Sequence, residues 1–226
     1  MTGYLDGPPP RAFAHRGWHV DDLSGLENSM PAFRRAYDEG FRYLETDVHA
    51  TADGRLVAFH DLSLDRVTDR VGPIATLPWS EVSRARIAGT EPIPLLADLI
   101  RRTGTGDRVC LGSFSDRRIA SLRALLGPAV ATSLGPREVF RLLRAATLGR
   151  SFRTSAVAAQ VPVSFSRVTI VNRRFLRTAH RAGLEVHVWT IDEPAQMRWL
   201  LDLGVDGLMT DRPDLLRSVL TERGHW

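Results

Sequence analysis

The sequence predicts an α/β fold with a parallel β-sheet, and three observations support this class. Short apolar runs rich in strand-forming residues alternate with amphipathic stretches, as expected of repeated β-then-α units. Several amphipathic stretches end at a glycine, which is a common C-terminal stop for helices. The length of 226 residues suits one large domain. We therefore expect residues 1–226 to form a single α/β domain.

Seven apolar segments are predicted to be parallel-type strands. In chain order they are 12–16, 41–48, 109–114, 129–134, 156–163, 185–190 and 207–210. A hairpin arm over 55–60 follows the second strand, because Ala52-Asp53-Gly54 forms a tight turn. Repeated βα units of this length indicate a TIM-like barrel, although seven strands are one short of eight. The expected fold is an incomplete or distorted TIM-like barrel with seven parallel strands and one β-hairpin.

Seven helices are predicted between and after these strands. They cover 29–40, 94–103, 116–126, 136–146, 172–182, 194–203 and 214–223. Glu27-Asn28-Ser29 offers N-cap chemistry to the first helix, and Gly40 ends it. Helices therefore alternate with strands along most of the chain, as the α/β class requires.

The charged residues are unevenly distributed. All 30 basic residues are Arg, and the absence of Lys excludes Schiff-base chemistry and P-loop ATPases. Residues 1–100 carry 10 Arg and 15 acids, whereas 101–226 carry 20 Arg and 11 acids. The acidic part suits a cation site, and the basic part suits an anionic partner.

Further features restrict the class of protein. A single cysteine, Cys110, excludes an intramolecular disulfide. No apolar run approaches the roughly 20 residues of a membrane span, so no transmembrane segment is expected. The amino terminus has no basic start and no apolar core, which are the marks of a secretory signal. A cytoplasmic protein is the expectation.

Three polar clusters fall at predicted strand ends. His15 and Arg16 close the first strand, Glu45 and Asp47 close the second, and His60 ends the hairpin arm. Residues two apart on a strand face the same way, so both carboxylates can converge on one ion. The tight turn of the hairpin returns His60 to these carboxylates. We expect the three clusters to form one site.

The residue types of this site suit cleavage of a phosphate ester. Two carboxylates favour Mg²⁺, Ca²⁺ or Mn²⁺ over a thiophilic metal. Two histidines beside them suit general acid and general base roles near neutral pH. Arg16 can hold a phosphate oxygen through its fork of donors. A cation, an acid, a base and an anion clamp together point to phosphoester hydrolysis.

Eight motifs carry a resemblance to a known family. They are A-H-R-G (14–17), E-N-S followed by A-F (27–33), E-T-D-V (45–48), T-A-D-G-R-L-V-A-F-H-D (51–61), L-D-R-V-T (64–68), S-F (113–114), V-W-T-I (188–191) and G-V-D-G-L-M-T-D-R-P (204–213). This set resembles the glycerophosphodiester phosphodiesterase family over most of the chain. The resemblance implies a metal-dependent TIM-barrel hydrolase. It would cleave glycerophosphodiesters, such as glycerophosphocholine, to glycerol 3-phosphate and an alcohol.

The resemblance also implies roles for individual residues. On the family pattern, His15 and His60 are the acid–base pair. Glu45 and Asp47 bind the divalent cation, which we expect to be Mg²⁺ or Ca²⁺, with Mn²⁺ as a further choice. Arg16 contacts the phosphate. The sequence does not decide which histidine is the acid.

Three more residues are implied to contact the substrate, a small-molecule phosphodiester. Glu27 and Asn28 match the family's E-N pair, and Trp189 matches an aromatic residue near the glycerol pocket. No nucleic-acid partner is expected, because the basic part has no recognisable nucleic-acid motif and little clustered aromatic interleaving. Asp211 follows the last strand and is expected to support a loop.

The chain departs from the family pattern after the helix at 94–103. The family continues with a strand bearing Glu-x-Lys or Asp-x-Lys, which supplies a third metal carboxylate and a phosphate-binding lysine. Only about 18 residues separate Pro94 from Ser113, and the chain contains no Lys. We expect one βα unit of roughly 25–35 residues to be absent. A seven-strand barrel must then close across a gap or leave two strand edges.

The missing unit leaves three functional alternatives. The first is a working hydrolase with a rate loss of about 10³ or more. The second is a catalytically inactive relative that binds phosphodiesters or a partner. The third is an enzyme of the same superfamily that acts on lysophospholipids or sphingolipids. Asp98 and Asp116 are candidates to replace the third carboxylate.

Overall fold

The computed structural model describes residues 3–106 and 108–226. The α-helices are α1 Met30–Asp38, α2 Trp79–Val82, α3 Leu96–Thr103, α4 Asp116–Leu126, α5 Pro136–Leu148, α6 Arg173–Arg181, α7 Pro194–Leu203 and α8 Pro213–Glu222. The strands are β1 Arg11–His15, β2 Tyr43–Glu45, β3 Val48–Ala50, β4 Leu56–Ala58, β5 Arg86–Ile87, β6 Glu91–Pro92, β7 Cys110–Leu111, β8 Ala131–Thr132, β9 Ala158–Pro162, β10 Ser164–Phe165, β11 Val168–Thr169, β12 Glu185–Trp189 and β13 Gly207–Thr210. In the described part of the chain, none of the helices combines the length and the apolar character that a bilayer crossing requires.

Each of the seven segments predicted as parallel-type strands contains a strand. They are β1, β2, β7, β8, β9, β12 and β13. The hairpin is also confirmed, since β3 and β4 pair antiparallel with Val48 opposite Ala58. The predicted single strand over 41–48 is instead interrupted. At Thr46 and Asp47 the chain changes partner, from the parallel neighbour β1 to the antiparallel neighbour β4.

The structure divides into two compact units. The amino-terminal unit consists of Ala12–Gly104 and Thr210–Ser218. The carboxyl-terminal unit consists of Thr105–Met209, the described residues up to Arg11, and Val219–Trp226. The change from one unit to the other occurs within strands β1 and β13.

The amino-terminal unit contains a parallel strand pair and a hairpin. Strands β1 and β2 pair with His15 opposite Glu45. Ser29 caps helix α1, since its Oγ accepts the Ala32 N–H at 3.3 Å. The helix buries Ala32, Phe33 and Ala36. A hydrophobic core forms from β4 and from the part of the chain that connects β4 to α3. Its buried residues are Val57, Phe59, Leu64, Ile74, Val82, Ala85, Ile87 and Ile93.

The carboxyl-terminal unit is a row of parallel strands. Strand β12 pairs with β9 and with β13, and β7 pairs with β8. A parallel bridge between Ser133 and Ala158 connects β8 to β9. The buried side chains of Val161, Val186 and Val188 fill the interior, which is typical of parallel strands covered on both faces. Helices α5 and α6 pack against each other, and α6 packs against β12.

The absence of one βα unit is visible in the element order. Between Pro94 and β7 the described residues contain one helix, α3, and no strand. Among the residues that the structure describes, β2 pairs with one strand, β1, and β7 pairs with one strand, β8. Both are therefore edge strands, as a seven-strand chain with one missing unit predicts.

Candidate active site

His15 lies at the carboxyl end of β1 and contacts two carboxylates. Its Nδ1 is 2.6 Å from Oδ1 of Asp211, and its Nε2 is 3.7 Å from Oε2 of Glu45. Because an ionised carboxylate only accepts hydrogen bonds, the Nδ1 of His15 donates to Asp211. In the neutral ring, Nε2 then carries the lone pair and faces the carboxylate of Glu45.

Glu45 and Asp47 have the features of a cation site. Their ligand atoms and one nitrogen of His15 all lie within 4.8 Å of one another. Glu45 Oε2 and Asp47 Oδ2 are buried and accept no hydrogen bond from the residues that the structure describes. Buried carboxylate oxygens without donors are costly, and a divalent cation is the group that satisfies two of them at once. The residues present therefore fit a divalent cation.

Arg16 is held between this pair and Glu27. Its backbone N–H donates to the Glu45 carbonyl at 3.0 Å, and its backbone adopts a positive φ of 57°. Its Nη1 donates to Glu27 at 3.1 Å, and its Nε lies 3.4 Å from Asp47 Oδ2 without hydrogen-bond alignment. The Nε–H is thus buried without an acceptor in the described residues. It is available to an anionic ligand.

Asn28 is buried beside Arg16. Its N–H donates to the Arg16 carbonyl at 2.9 Å, and its Oδ1 accepts from the Thr46 hydroxyl at 2.6 Å. Its Nδ2 donates to no acceptor among the described residues, although the side chain is only 1% exposed. A buried amide without an acceptor is a second donor available to a ligand.

The hairpin brings the backbone next to His60 back beside Asp47, whereas the His60 side chain contacts Asp61. The N–H of Phe59, the preceding residue, donates to the Asp47 carbonyl at 3.0 Å. His49 Nε2 lies 2.8 Å from the His60 carbonyl oxygen. His60 Nδ1 is 2.6 Å from Oδ1 of Asp61. His60 and His15 therefore share one arrangement, in which Nδ1 donates to a carboxylate and leaves Nε2 free to exchange a proton.

Arg66 connects the His60 and Arg16 clusters. Its Nε donates to Asp61 Oδ2 at 2.6 Å, and its Nη2 donates to Glu27 Oε1 at 2.7 Å. Glu27 thus accepts from both arginines. Glu27 therefore orients both guanidinium groups, and its contact with a substrate stays a prediction.

Burial and charge shift the pKa values of these groups. Burial raises the pKa of Glu45 to about 6, and Asp47 adds to the rise, while His15 and Arg16 oppose it. Burial alone lowers the pKa of His15, but the hydrogen bond to Asp211 and the charges of Glu45 and Asp211 outweigh it, so the pKa is raised. The Arg66 hydrogen bond lowers the pKa of Asp61 to about 2. The acids that hold the histidines stay ionised, while Glu45 titrates near neutrality.

Trp189 lies at the carboxyl end of β12 in the carboxyl-terminal unit. Its ring contacts Phe114 edge to face, with the ring centroids 5.9 Å apart. Phe114 is 86% exposed. The carboxyl ends of strands β7 and β12 therefore display a pair of aromatic rings, a composition suited to an apolar part of a ligand.

Two residues of the site, Asp211 and Arg66, were not expected there from the sequence. Asp211 was expected to support a loop, whereas its carboxylate contacts both His15 and His19, the latter at 3.1 Å. Arg66 belongs to a matched motif but received no role. The signal for Asp211 was its position directly after β13, because carboxyl ends of parallel strands carry the site in this fold. Arg66 had no such signal, since it lies outside any strand end.

The two candidates for a replacement carboxylate have other partners. Asp98 accepts a hydrogen bond from Arg101 at 2.7 Å. Asp116 accepts the Arg137 N–H at 3.0 Å. Among the described residues, neither belongs to the cluster of His15, Glu45 and Asp47.

Fold and geometry together define a class of protein. The site contains carboxylates, imidazoles that donate to carboxylates, and an arginine with one N–H that has no acceptor among the described residues. This set of groups near the carboxyl ends of parallel strands is typical of metal-assisted phosphoester hydrolases.

The chain belongs to the Glycerophosphoryl diester phosphodiesterase family, whose sequence profile matches residues 15–107 and 95–215. A Mycobacterium tuberculosis protein named probable glycerophosphodiester phosphodiesterase 2 is 38% identical, over 95% of this chain and 92% of its own length. The glycerophosphodiester phosphodiesterase of Caldanaerobacter subterraneus is 24% identical over 93% of this chain and 98% of its own. The resemblance read from the motifs is confirmed.

Solved structures show the fold. The glycerophosphodiester phosphodiesterase of Agrobacterium tumefaciens has a TM-score of 0.71 and 24% identity, covering 93% of this chain and 99% of that one. An Oleispira antarctica phosphodiesterase in complex with the product sn-glycerol-3-phosphate has a TM-score of 0.75 and 22% identity. The match covers 94% of this chain and 97% of that one. The predicted α/β, TIM-like fold is confirmed.

The alignment with the M. tuberculosis relative also bears on the missing unit. It is 245 positions long and takes in 95% of the 226 residues here, or about 215. About 30 of its positions therefore have no counterpart in this chain. That number matches the roughly 25–35 residues of one βα unit.

Proposed function

We propose that this protein hydrolyses small glycerophosphodiesters to glycerol 3-phosphate and an alcohol, using a divalent cation held by Glu45 and Asp47. The observation that carries the proposal is the cluster of these carboxylates with His15, within 4.8 Å, in a member of this family. The product complex of the Oleispira relative supports glycerol 3-phosphate as the product.

The ligand types favour Mg²⁺ or Ca²⁺, with Mn²⁺ as a third choice, because carboxylate oxygens suit hard cations. When bound, such a cation supplies positive charge that stabilises the phosphoryl oxygens as negative charge develops. The remaining chemistry belongs to the side chains of this chain.

The two histidines supply the proton transfers. Hydrolysis breaks the bond between phosphorus and the alcohol oxygen and forms one to the oxygen of water. The Nε2 of one histidine takes the proton from the attacking water, and the Nε2 of the other gives a proton to the departing alcohol. Asp211 and Asp61 fix each Nδ1 as a donor, so that each Nε2 is free for this exchange.

Arg16 and Asn28 hold the phosphate in this proposal. The buried Arg16 Nε–H and Asn28 Nδ2 have no acceptor within the described residues, and phosphate oxygens accept from both donor types. Glu27 orients Arg16 from the other side. The family pattern assigns Trp189 a contact with the glycerol part of the substrate, and the proposal keeps this role as a prediction.

The direct test is the formation of glycerol 3-phosphate from glycerophosphocholine, with each divalent cation added in turn to the metal-free protein. Replacing His15→Ala or His60→Ala should reduce turnover by about 10² to 10⁴, the usual contribution of an acid–base residue. His225→Ala is the matched control, because His225 is exposed at the carboxyl end of the chain. No product with any cation, or equal turnover in all three variants, would contradict the proposal.

An inactive, phosphodiester-binding relative is the second candidate, and the loss of the third carboxylate favours it. Titration calorimetry separates it from an enzyme with a weak cation site. Cation binding at millimolar concentration together with product formation supports the enzyme. Phosphodiester binding with no turnover, at any cation concentration, supports the inactive relative.

A lysophospholipid substrate is a further candidate, favoured by exposed aromatic side chains. Phe114 is 86% exposed after β7, and Phe165 is 73% exposed after β9. Exposed aromatic rings at strand ends suit contact with an acyl chain. Parallel assays with glycerophosphocholine and lysophosphatidylcholine, with the product followed by phosphorus NMR, distinguish the two substrates and reveal any cyclic phosphate.

A further inference from the structure

Positive charge is concentrated in one segment outside the site. Residues 136–181 contain ten Arg and a single acid, Glu138, a net charge of +9 in a chain of net charge +4. The acid is itself neutralised, since both of its oxygens accept from Arg123. The rest of the chain is therefore net negative, and the excess of positive charge lies around α5 and α6.

The structure places most of these arginines on exposed surface. Eight of them form what we call the basic face, namely Arg141, Arg144, Arg150, Arg153, Arg173, Arg174, Arg177 and Arg181, and all eight are exposed. They lie on α5, on the segment after it, and on α6, which packs against α5. In the parts of the chain that the structure describes, none of the eight forms an ion pair.

Other arginines of the same carboxyl-terminal unit are paired. Arg123 binds Glu138, Arg198 binds Glu222 and Arg223 binds Asp202. The lack of acids near the basic face is thus a local feature, although Arg is the only basic residue type in the chain. Eight unpaired cations on one surface repel one another in isolation, and an anionic partner relieves this repulsion.

Two grooves shape the basic face. One, of about 400 Å³, lies between α5 and the start of α6 and is lined in part by Arg173 and Arg174. The other, of about 200 Å³, lies at the end of α5 and is lined by Arg141, Arg144, Arg150 and Arg153. Six of the eight guanidinium groups therefore border concave surface of a size that suits a phosphate headgroup.

Apolar side chains are interleaved with these arginines. Phe140 is 59% exposed and Leu148 is 56% exposed, and the Arg144 guanidinium lies 5.9 Å from the centre of the Phe140 ring. Exposed aromatic and leucine side chains among arginines are typical of surfaces that lie at a membrane interface. A surface for single-stranded nucleic acid instead offers free aromatic faces for base stacking, whereas Arg144 lies over Phe140 and Phe152 is buried.

We propose that the basic face docks this protein on bilayers that contain anionic phospholipid. The guanidinium groups contact lipid phosphates, and Phe140 and Leu148 contact the boundary between headgroups and acyl chains. Each basic residue near an anionic bilayer strengthens binding by roughly fivefold. The attraction is screened by salt, because the contacts lie at the protein surface. The proposal is independent of catalysis.

The test is sedimentation of the 226-residue chain with vesicles. One set contains phosphatidylcholine alone, and the other contains phosphatidylcholine with about one third phosphatidylglycerol, in about 0.1 M and 0.5 M NaCl. We expect binding to the anionic vesicles only, and weaker binding at the higher salt concentration. The variant R173Q/R174Q/R177Q should lower the partition coefficient by roughly 100-fold.

A matched control removes the same charge elsewhere. R34Q/R42Q/R70Q changes three exposed arginines of the amino-terminal unit, for which no ion pair is found among the described residues. This control should change the partition coefficient by less than about threefold. F140S/L148S should weaken the binding that persists at high salt. Circular dichroism verifies that each variant is folded.

Three outcomes would overturn the proposal. The first is equal sedimentation with neutral and anionic vesicles. The second is an equal loss of binding in the two arginine triple variants, which would indicate a general effect of net charge. The third is tighter binding of a single-stranded RNA oligonucleotide than of anionic vesicles, lost in R173Q/R174Q/R177Q, which would assign the basic face to nucleic acid.

Discussion

The carboxylate of Asp211 decides which nitrogen of His15 can move a proton. Because Nδ1 donates to Asp211 at 2.6 Å, Nε2 is the nitrogen that faces Glu45. Asp211→Asn replaces the acceptor by an amide and loses both the fixed tautomer and the charge that raises the pKa of His15. We expect kcat/KM to fall by about 10² or more, and the pKa of His15 in the metal-free protein to fall in an NMR titration.

Asp202→Asn is the control for this substitution, since Asp202 is an exposed acid paired with Arg223. It should leave kcat/KM within about twofold of the wild type. An Asp211→Asn variant with wild-type kcat/KM would show that His15 needs no carboxylate partner, and would remove the basis for its proton-transfer role.

We expect Arg66 to affect the reaction through Asp61 and Glu27, to which it donates hydrogen bonds. Its hydrogen bonds lower the pKa values of both carboxyl groups, and Asp61 in turn holds His60. Arg66→Gln should therefore lower kcat by about tenfold or more, with a smaller effect on KM, because the orientation of an acid–base group is lost. Steady-state kinetics measure the two constants separately.

Arg70→Gln is the control for Arg66, because Arg70 is exposed four residues away and has no ion pair among the described residues. It should retain wild-type kcat. If both variants lose the same activity, the loss reflects general charge, and the connection from Arg66 to His60 is refuted.

Glu45 makes stability depend on pH in the metal-free protein. Its pKa is about 6 in the folded state and near 4.5 when unfolded. The folded state thus binds more protons between these values, and the free energy of unfolding falls as pH rises from 4.5 to 6. The shift corresponds to roughly 2 kcal/mol. Glu45→Gln should remove this part of the slope, as measured by urea unfolding at several pH values.

A divalent cation should reverse this dependence. Cation and proton compete for the Glu45 carboxylate, so cation affinity should rise with pH up to about 6 and then level off. Calorimetry at pH 5 and pH 7 checks this expectation. Equal affinities at both pH values, or an unchanged slope in Glu45→Gln, would show that Glu45 does not titrate in this range.

Much of the site could be predicted at the level of single residues, because its members are distinctive polar types at strand ends. His15, Arg16, Glu45, Asp47 and His60 were expected together, and the structure brings them into one unit. Asp211 was assigned a loop role, since sequence distance conceals a contact across 196 positions. The individual catalytic and binding roles stay predictions.

At the scale of elements, long periodic segments were predicted accurately and short ones were not. Helices α4 and α7 have the predicted bounds, because caps and glycines mark their ends. Strands β5, β6, β10 and β11 were missed, since each has two residues, too few to show an alternating pattern, and each lies outside the predicted strands and helices. The predicted strand over 41–48 was wrong in its middle, because its pairing partner changes there.

The turn between β1 and α1 depends on Gly17. A Cβ at Gly17 would lie 2.8 Å from the Ala32 carbonyl carbon, and its φ is +87°. Gly17→Ala therefore combines a disfavoured backbone with a clash against α1. The control is Gly54→Ala, with φ of +80° and no atom within 4 Å.

Both glycine variants carry the cost of a positive φ, about 1 kcal/mol, and only Gly17→Ala adds overpacking of about 1–3 kcal/mol. Urea unfolding should show this difference, and Gly17→Ala should also lose activity, because Arg16 precedes the turn. Equal losses of stability in the two variants would show that the close approach of β1 and α1 carries no cost.

At the scale of the whole molecule, a single-domain chain was expected, and that expectation stays a prediction. The missing βα unit was predicted because only about 18 residues separate Pro94 from Ser113, and a sequence shows such a spacing directly. The sequence does not show whether other residues replace the ligands that the missing unit would supply. The separation of charge is also a property of the whole chain, since the acids needed for a cation lie in one half and the eight arginines of the basic face lie in the other.

Loss of that unit should weaken the cation site and slow the reaction. Among the described residues, Glu45 and Asp47 are the two carboxylates that lie beside His15 in the candidate cation site, and the described part of the chain places Asp98 and Asp116 with other partners. Fewer carboxylate ligands lower the affinity for a hard cation, and the missing lysine removes charge that stabilises the phosphoryl oxygens. We expect kcat/KM for glycerophosphocholine about 10³ below that of the C. subterraneus relative in the same buffer.

Cation affinity separates the two causes of this loss. If the missing carboxylate dominates, saturating Mg²⁺ or Ca²⁺ should recover a large part of the difference in rate, since an excess of cation compensates for a high Kd. If the missing lysine dominates, the difference should persist at saturation, because no other residue type in this chain supplies an ammonium group. Turnover equal to that of the relative at low cation concentration would show that the shortened chain forms a complete site by another arrangement of its ligands.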